Sequence, residues 1–124
     1  MDITKIPWVI EPHTIAKHTI LNRYLQAWMP IVSSMSGVIN YIDGFAGPGE
    51  YLTPDGNIID GSPIIAIKAF LNHKLKEKIK DVSFIFVDKE PKIYSYLNKR
   101  LEEYKKLGIR IDVRNDTFEN VLNN

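Results

Sequence analysis

The chain has 124 residues, 44% of them hydrophobic and 25% charged, which is enough for one domain with a core but short for a complete α/β enzyme. A formal net charge of +1 gives no general attraction to nucleic acids or membrane surfaces, so a nucleic-acid partner is permitted but not indicated. The absence of cysteine excludes disulfides and thiolate sites; because the chain also lacks a secretory signal and any apolar run near the ~20 residues of a membrane span, we expect a cytoplasmic protein.

Residues 1–37 are expected to form a helical segment that precedes a sheet. Apolar side chains recur at helical spacing from Pro12 to about Met35, and a proline suits the first turn of a helix. Pro30 predicts a break or bend, because a proline inside a helix removes a backbone hydrogen bond. Gly37 is expected to close the element. The recurring apolar residues are Ile15, Ile20, Leu21, Tyr24, Leu25, Trp28 and Ile31.

Residues 38–124 alternate apolar strands with helices. This order implies right-handed crossovers and a parallel sheet. We therefore predict an α/β fold, half of a doubly wound, Rossmann-like sheet: three parallel strands in the order 3-2-1 with helices on both faces, in a single domain. The turn-rich stretch Glu50–Gly61 is expected to be a loop or a small hairpin. The predicted strands are Val38–Ile42, Val82–Val87 and Ile109–Val113; the predicted helices are Ile64–Lys80 after an N-cap at Ser62, Pro91–Tyr104 before Gly108, and one beginning near Thr117.

An aspartate follows each predicted strand closely: Asp43, Asp88 and Asp116. Parallel strands end at one edge of their sheet, and open α/β sheets bind ligands at that edge. The three carboxylates are therefore expected to line one groove. No set of histidine, aspartate and glutamate has metal-ligand spacing, and no Ser-His-Asp arrangement is recognisable.

The segment Asp43–Gly49, with the sequence DGFAGPG, is the strongest local signal. Glycines at 47 and 49 allow a sharp turn and the close approach of a ligand to the backbone. The alternative is a strand-to-helix turn that binds nothing. Phe45 is a candidate binding residue, although it is expected to pack under the turn. A dinucleotide fingerprint fits less well, because its third glycine would stand where Leu52 is.

The same segment resembles motif I of class I methyltransferases. By this resemblance, Gly47 and Gly49 border the methionine and ribose parts of S-adenosylmethionine, and Asp43 reaches its amino group. Asp88 then accepts hydrogen bonds from the ribose hydroxyls, with Glu90 as a rival for that role. The gap from Gly49 to Asp88 is longer than in the family pattern, and the Glu50–Gly61 stretch accounts for most of the excess.

Asp116 matches the position at which such folds bind the adenine amino group. Because Asn115, Asp116 and Thr117 are all good N-caps, a capping role for Asp116 is equally open.

Most of the chain is similar to the three-Cys-motif partner protein family. The resemblance implies S-adenosylmethionine as cofactor and, as a partner, a three-Cys-motif protein encoded nearby. Members continue through a fourth strand that carries residues around the target atom, so the chain is interpreted as a truncated domain with no assignable catalytic residue. The similar parts are Trp8, the helix with Lys17, Ile20, Tyr24 and Trp28, the block Tyr41–Gly49, and Gly61–Pro63.

Two functional hypotheses follow. The first is the S-adenosylmethionine-binding N-terminal half of a methyltransferase-like protein, not catalytic by itself and an enzyme only if completed by a C-terminal half. The alternative is a non-catalytic interaction module that binds a partner protein or itself, as a homodimer through the exposed strand Val38–Ile42. A nicotinamide-dependent oxidoreductase is disfavoured by the missing third glycine.

Overall fold

The computed structural model describes residues 5–35, 38–72 and 81–123. Helices and strands alternate along these ranges. The predicted role of Gly37 and the predicted helix beyond Asn72 lie outside the described residues. The elements are α1 (Pro12–Met35), β1 (Val38–Asp43), β2 (Glu50–Leu52), β3 (Ile58–Asp60), α2 (Ser62–Asn72), β4 (Asp81–Val87), α3 (Pro91–Arg100), α4 (Glu102–Lys105), β5 (Arg110–Arg114) and α5 (Phe118–Leu122).

The main sheet consists of β1, β4 and β5, hydrogen-bonded in the order β1-β4-β5. Both pairs are parallel, and Phe84 of β4 is the register partner of Tyr41 in β1 and of Ile111 in β5. The mixed α/β class with three parallel strands is therefore confirmed. All three strands end at the same edge, which places the segments after Asp43, Val87 and Arg114 side by side.

The core lies on one face of this sheet. Phe84 and Phe86 are fully buried, and their rings stack with centroids 5.9 Å apart. Helices α1, α2 and α3 contribute Leu25, Ile64 and Leu97 to the same cluster. Two right-handed crossovers that advance in one direction across a sheet place their helices on the same face, and the packing follows that rule.

The opposite face is largely open in the part of the chain that the structure describes. Val38 and Ile42 are 44% and 43% exposed, and Arg110 and Arg114 on the edge strand β5 are exposed as well. Helices α1, α2 and α3 thus pack on one face, and a second helical layer on the opposite face stays a prediction.

Helix α1 runs through Pro30 without interruption, so the helix does not break there, and the alternative of a bend stays a prediction. Leu25 and Met29 lie just before the proline and are buried, and the helix packs against α2. Burial of these two side chains stabilises the helical path despite the lost backbone hydrogen bond. Among the described helices, none is long and apolar enough to span a bilayer.

Helix boundaries differ from the sequence expectation at two places. The predicted helix Pro91–Tyr104 is divided at Leu101 into α3 and α4. Ser62 is the first residue of α2 and not its cap, because the Ile65 amide donates to the Gly61 carbonyl at 3.0 Å. This frees the Ser62 hydroxyl for a tertiary contact.

The stretch 50–61 contains the antiparallel hairpin β2–β3. Its first residue, Glu50, is only 6% exposed. The Tyr96 hydroxyl donates to Glu50 Oε2 at 3.0 Å, and Arg100 Nε donates to Oε1. Arg100 also binds Glu103. A buried carboxylate needs such partners, so the hairpin is fastened to α3 through Glu50.

Replacing Glu50 by alanine is expected to lower the free energy of unfolding by about 3 kcal/mol, because the half-buried Arg100 loses its least exposed partner. The matched control is Glu103→Ala, which removes a carboxylate whose side chain is 62% exposed; it should cost less than about 1 kcal/mol. Chemical denaturation measures both variants, and equal losses would contradict a fastening role for Glu50.

Candidate functional site

A cleft of about 430 Å³ opens at the carboxyl end of β1. Binding sites for small molecules are commonly about 300–1,000 Å³ in volume, so the cleft is large enough for a cofactor-sized ligand. Its walls come from the first half of α1, the end of β1, the hairpin and the start of α2. The polar side chains that line it are Thr14, Lys17, His18, Tyr41, Asp43, Tyr51 and Ser62.

Asp43 lies in this cleft and also holds its surroundings together. The Ser62 hydroxyl donates to Oδ2 at 2.7 Å, and the Phe45 amide donates to Oδ1 at 3.1 Å. The carboxylate thus links the end of β1 to the first residue of α2. A carboxylate offers about four acceptor positions, so Asp43 keeps capacity for a ligand donor.

The loop of residues 44–49, which we call the glycine loop, is shaped by its contacts inside the protein. Gly47 and Gly49 have φ values of 69° and 88°, which non-glycine residues rarely adopt. A Cβ atom on Gly49 would lie 2.7 Å from Leu97 Cδ1. The Gly61 amide also donates to the Gly49 carbonyl at 2.8 Å. Packing against α3 therefore accounts for the glycine at 49, and among the described residues neither Gly47 nor Gly49 lines the cleft.

Asp88 supports the glycine loop from the neighbouring strand. The Gly47 amide donates to its Oδ2 at 3.2 Å, and the Glu90 amide donates to its Oδ1 at 2.9 Å. Asn115 fixes the backbone here by donating to the Asp88 carbonyl at 3.1 Å. The rival, Glu90, is the N-cap of α3 and accepts from the Lys92 amide at 3.4 Å.

Asp116 lies just before α5, but the N-cap of that helix is Thr117 and not Asp116. Its Oδ1 accepts from the Asn120 side chain at 2.8 Å and from the Thr117 amide at 2.7 Å. These two hydrogen bonds hold the pKa of Asp116 below its ordinary value. Thr117 is itself the N-cap of α5 and accepts from the Asn120 amide at 3.2 Å.

Phe45 does not pack under the turn, so that expectation is wrong. Its side chain is 84% exposed, and its ring lies 5.9 Å from the ring of Phe118 in α5. The space under the turn belongs to Phe118, since a Cβ atom on Gly44 would fall 2.3 Å from the Phe118 ring. Phe45 therefore stands at the rim of the cleft, where it lines the opening.

The three predicted acids thus surround one loop. Asp43 and Asp88 both accept hydrogen bonds from loop amides, and Asp116 lies at the start of the helix whose Phe118 packs on Gly44. Of the three, Asp43 lines the cleft within the described ranges. The three acids lie near one another because parallel strands end at the same edge of the sheet.

The contribution of α1 to the site was not predicted from the sequence. Thr14, Lys17, His18 and Leu21 all line the cleft. Their spacing of i, i+3, i+4 and i+7 places them on one helix face. That pattern was visible in the sequence, but three of the four residues are polar and so look like a solvated face.

The electrostatics of the cleft favour neutral rings beside one carboxylate. Burial lowers the pKa of His18, although the nearby Asp43 carboxylate opposes this. Burial and then Asp43 raise the pKa of Tyr41 to about 12. The pKa of Tyr51 is raised by the same causes and by Asp88. The rings of His18 and Tyr51 lie 5.8 Å apart.

No family model, curated protein or solved structure matches this chain. Within residues 5–35, 38–72 and 81–123, no group of three or more histidine, aspartate and glutamate side chains is placed to hold a metal ion. The chemistry of the cleft must therefore be argued from its own side chains.

The packing role of Gly49 can be separated from its backbone conformation. Gly49→Ala is expected to lower the free energy of unfolding by about 2–4 kcal/mol, because the new methyl group adds a clash with the buried Leu97 to the strain of a positive φ. Gly56→Ala is the matched control: φ at Gly56 is 87°, and a Cβ atom would meet nothing within 4 Å.

The control variant should lose only about 1 kcal/mol, the cost of the backbone conformation alone. Denaturant titration of both proteins provides the comparison. A loss at Gly49 no larger than that at Gly56 would show that the contact with Leu97 is not what requires the glycine.

Proposed function

We propose that this chain is the S-adenosylmethionine-binding part of a methyltransferase-like protein. The observation that carries the proposal is the cleft at the carboxyl end of β1, which is bordered by the glycine loop and contains Asp43. Ligands of open α/β sheets bind at this edge. When bound, the cofactor would supply an activated methyl group, and the task of the protein would be to hold and orient it.

The side chains present suit the polar head of that cofactor. Asp43 has acceptor positions to offer an ammonium group beside the two hydrogen bonds it already accepts. Tyr41 and Tyr51 stay neutral because their pKa values are raised. The ribose role of Asp88 and the adenine role of Asp116 rest on the sequence resemblance alone.

Asp88 retains the chemistry that the ribose role needs. Each of its oxygens accepts one backbone amide, which leaves one acceptor position on each for a hydroxyl group. Asp116 is a weaker candidate for the adenine contact, because one of its oxygens, Oδ1, already accepts two hydrogen bonds at the start of α5.

The proposal is tested by calorimetric titration with S-adenosylhomocysteine and, separately, with NAD. Saturable binding of the first alone is expected. Asp43→Asn should weaken that binding about tenfold or more, because the neutral amide loses the charge-assisted bond to an ammonium group while keeping the shape of the side chain. Asp81→Asn is the matched control, since Asp81 begins β4 at the opposite edge of the sheet and pairs with Arg110.

Asp88→Ala in the same titration examines the ribose role, with an expected loss of about 1–3 kcal/mol. Undiminished affinity in that variant would remove Asp88 from the site. Binding of NAD in place of S-adenosylhomocysteine, or no heat from either ligand, would overturn the proposed function as a whole.

A second candidate function, an interaction module, is favoured by the state of β1. Among the described strands β1 pairs with β4 on one side only, and Val38 and Ile42 expose apolar surface on the open face. Exposed strand edges pair readily with other chains. A second copy could pair antiparallel along β1 about a two-fold axis.

Light scattering across a concentration series distinguishes this candidate. Self-association that is reduced by Ile42→Lys would support pairing through β1. The control is Leu107→Lys, which places the same charge at an exposed position outside β1 and should leave self-association unchanged. A monomer at every concentration would contradict it.

A further inference from the structure

Helix α1 carries a stripe of exposed apolar side chains that the core does not use. Four large side chains in it are 58–79% exposed. Together with Ala27 they lie within about 80° of one another around the helix axis, to one side of the buried Leu25 and Met29. Apolar side chains that are contiguous on a surface mark contacts with other molecules, whereas single ones do not. The stripe, which we call the α1 stripe, consists of Ile20, Tyr24, Ala27, Ile31 and Met35.

The spacing of the α1 stripe fits another helix. From Ile20 to Ile31 its members follow one another at intervals of four, three and four residues, which are the intervals of a seam between two packed helices. The small Ala27 stands between large neighbours, so it leaves a hole that a large side chain of a facing helix can fill. The stripe extends over about 24 Å of helix. A stripe this narrow suits a facing helix and not a broad apolar surface.

We infer that the α1 stripe pairs with the α1 stripe of a second copy, in antiparallel orientation about a two-fold axis. Placing Tyr24 against Ala27 of the second copy also places Ile20 against Ile31 of that copy, and the symmetry repeats both contacts. Each tyrosine then fills the hole that the facing alanine leaves. This surface is distinct from the edge of β1, and the pairing does not depend on a bound cofactor.

The charges of α1 favour the antiparallel orientation. The helix has no acidic residue between Pro12 and Met35 and no basic residue in its last turn, so no side chain of that turn balances the partial negative charge of the helix end. In the antiparallel pair, Lys17 of the second copy lies opposite Ser34 and brings a positive charge to this end. A parallel pair would instead place the two Lys17 ammonium groups side by side, where they repel each other. Within the described ranges, Lys17 forms no ion pair that the contact would break.

Sedimentation equilibrium of the unaltered protein is expected to show a dimer with a dissociation constant in the micromolar range, because a contact of one helix from each copy lies at the small end of specific interfaces. Ile20→Lys and Ile31→Glu should each weaken the dimer at least about tenfold, since each sets a charge against an apolar side chain in the seam. Gln26→Lys, at an exposed position of α1 outside the stripe, is the matched control and should leave the dissociation constant unchanged. All three positions are exposed, so the fold of each variant is expected to be kept, and circular dichroism checks this.

An equal mixture of the Ile20→Lys and Ile31→Glu proteins is the decisive measurement, because the antiparallel pairing sets the new lysine against the new glutamate and a parallel one does not. The mixture is expected to form a heterodimer although each variant alone is monomeric at the same concentration. A mixture that stays monomeric, or an unaltered protein that is monomeric at every concentration, would overturn the inference. A dimer that survives Ile20→Lys but is lost in Ile42→Lys would overturn it as well, and would assign self-association to β1.

Discussion

Three consecutive backbone amides of the glycine loop are held by the ends of two parallel strands, and the arrangement of the site depends on them. The Phe45 amide donates to Asp43, the Ala46 amide to the Val87 carbonyl at 3.0 Å, and the Gly47 amide to Asp88. Unpaired amides in this partly buried turn would be costly. The loop is thus fastened to β1 and β4 together, and its position follows from their register.

This fastening also decides which groups a ligand can meet. In glycine-rich loops that bind phosphate, the amides point at the ligand. Here the amides of residues 45–47 are used within the protein. Recognition in the cleft is left to side chains from α1, the end of β1, the hairpin and the start of α2, which are few and chemically distinct.

The sheet could be predicted from the sequence because its signals are local. The apolar runs at 38–42 and 82–87, each followed by an acid, mark strands with little ambiguity, and alternation with helices implies parallel pairing. The path of α1 through Pro30 could not be predicted, because burial of Leu25 and Met29 is a tertiary effect that overrides the local preference. Asp88 and Asp116 were found as strand-end acids, but their hydrogen bonds to neighbouring turns could not be distinguished from ligand contacts.

The contacts that fasten the hairpin could not be predicted from the sequence, for a related reason. Glu50 and Arg100 lie 50 positions apart, and neither has a neighbour that marks it as buried. The same holds for the role of Lys17 and His18, whose polar character resembles that of any solvated helix. Long-range pairing of charged side chains leaves no periodic trace, whereas burial of apolar ones does.

The hydrogen bond between Gly49 and Gly61 closes the stretch 50–60 into an excursion whose two ends meet at 2.8 Å. Because the ends meet, the positions of Asp43 and Ser62 depend little on the length of the stretch between them. The entropic cost of lengthening a closed loop also grows slowly. The long interval between the glycine loop and Asp88 is therefore compatible with an ordinary βαβ unit. The hairpin could therefore be lengthened at its turn while Asp43 stays where β1 places it, provided that Glu50 keeps its contacts with α3.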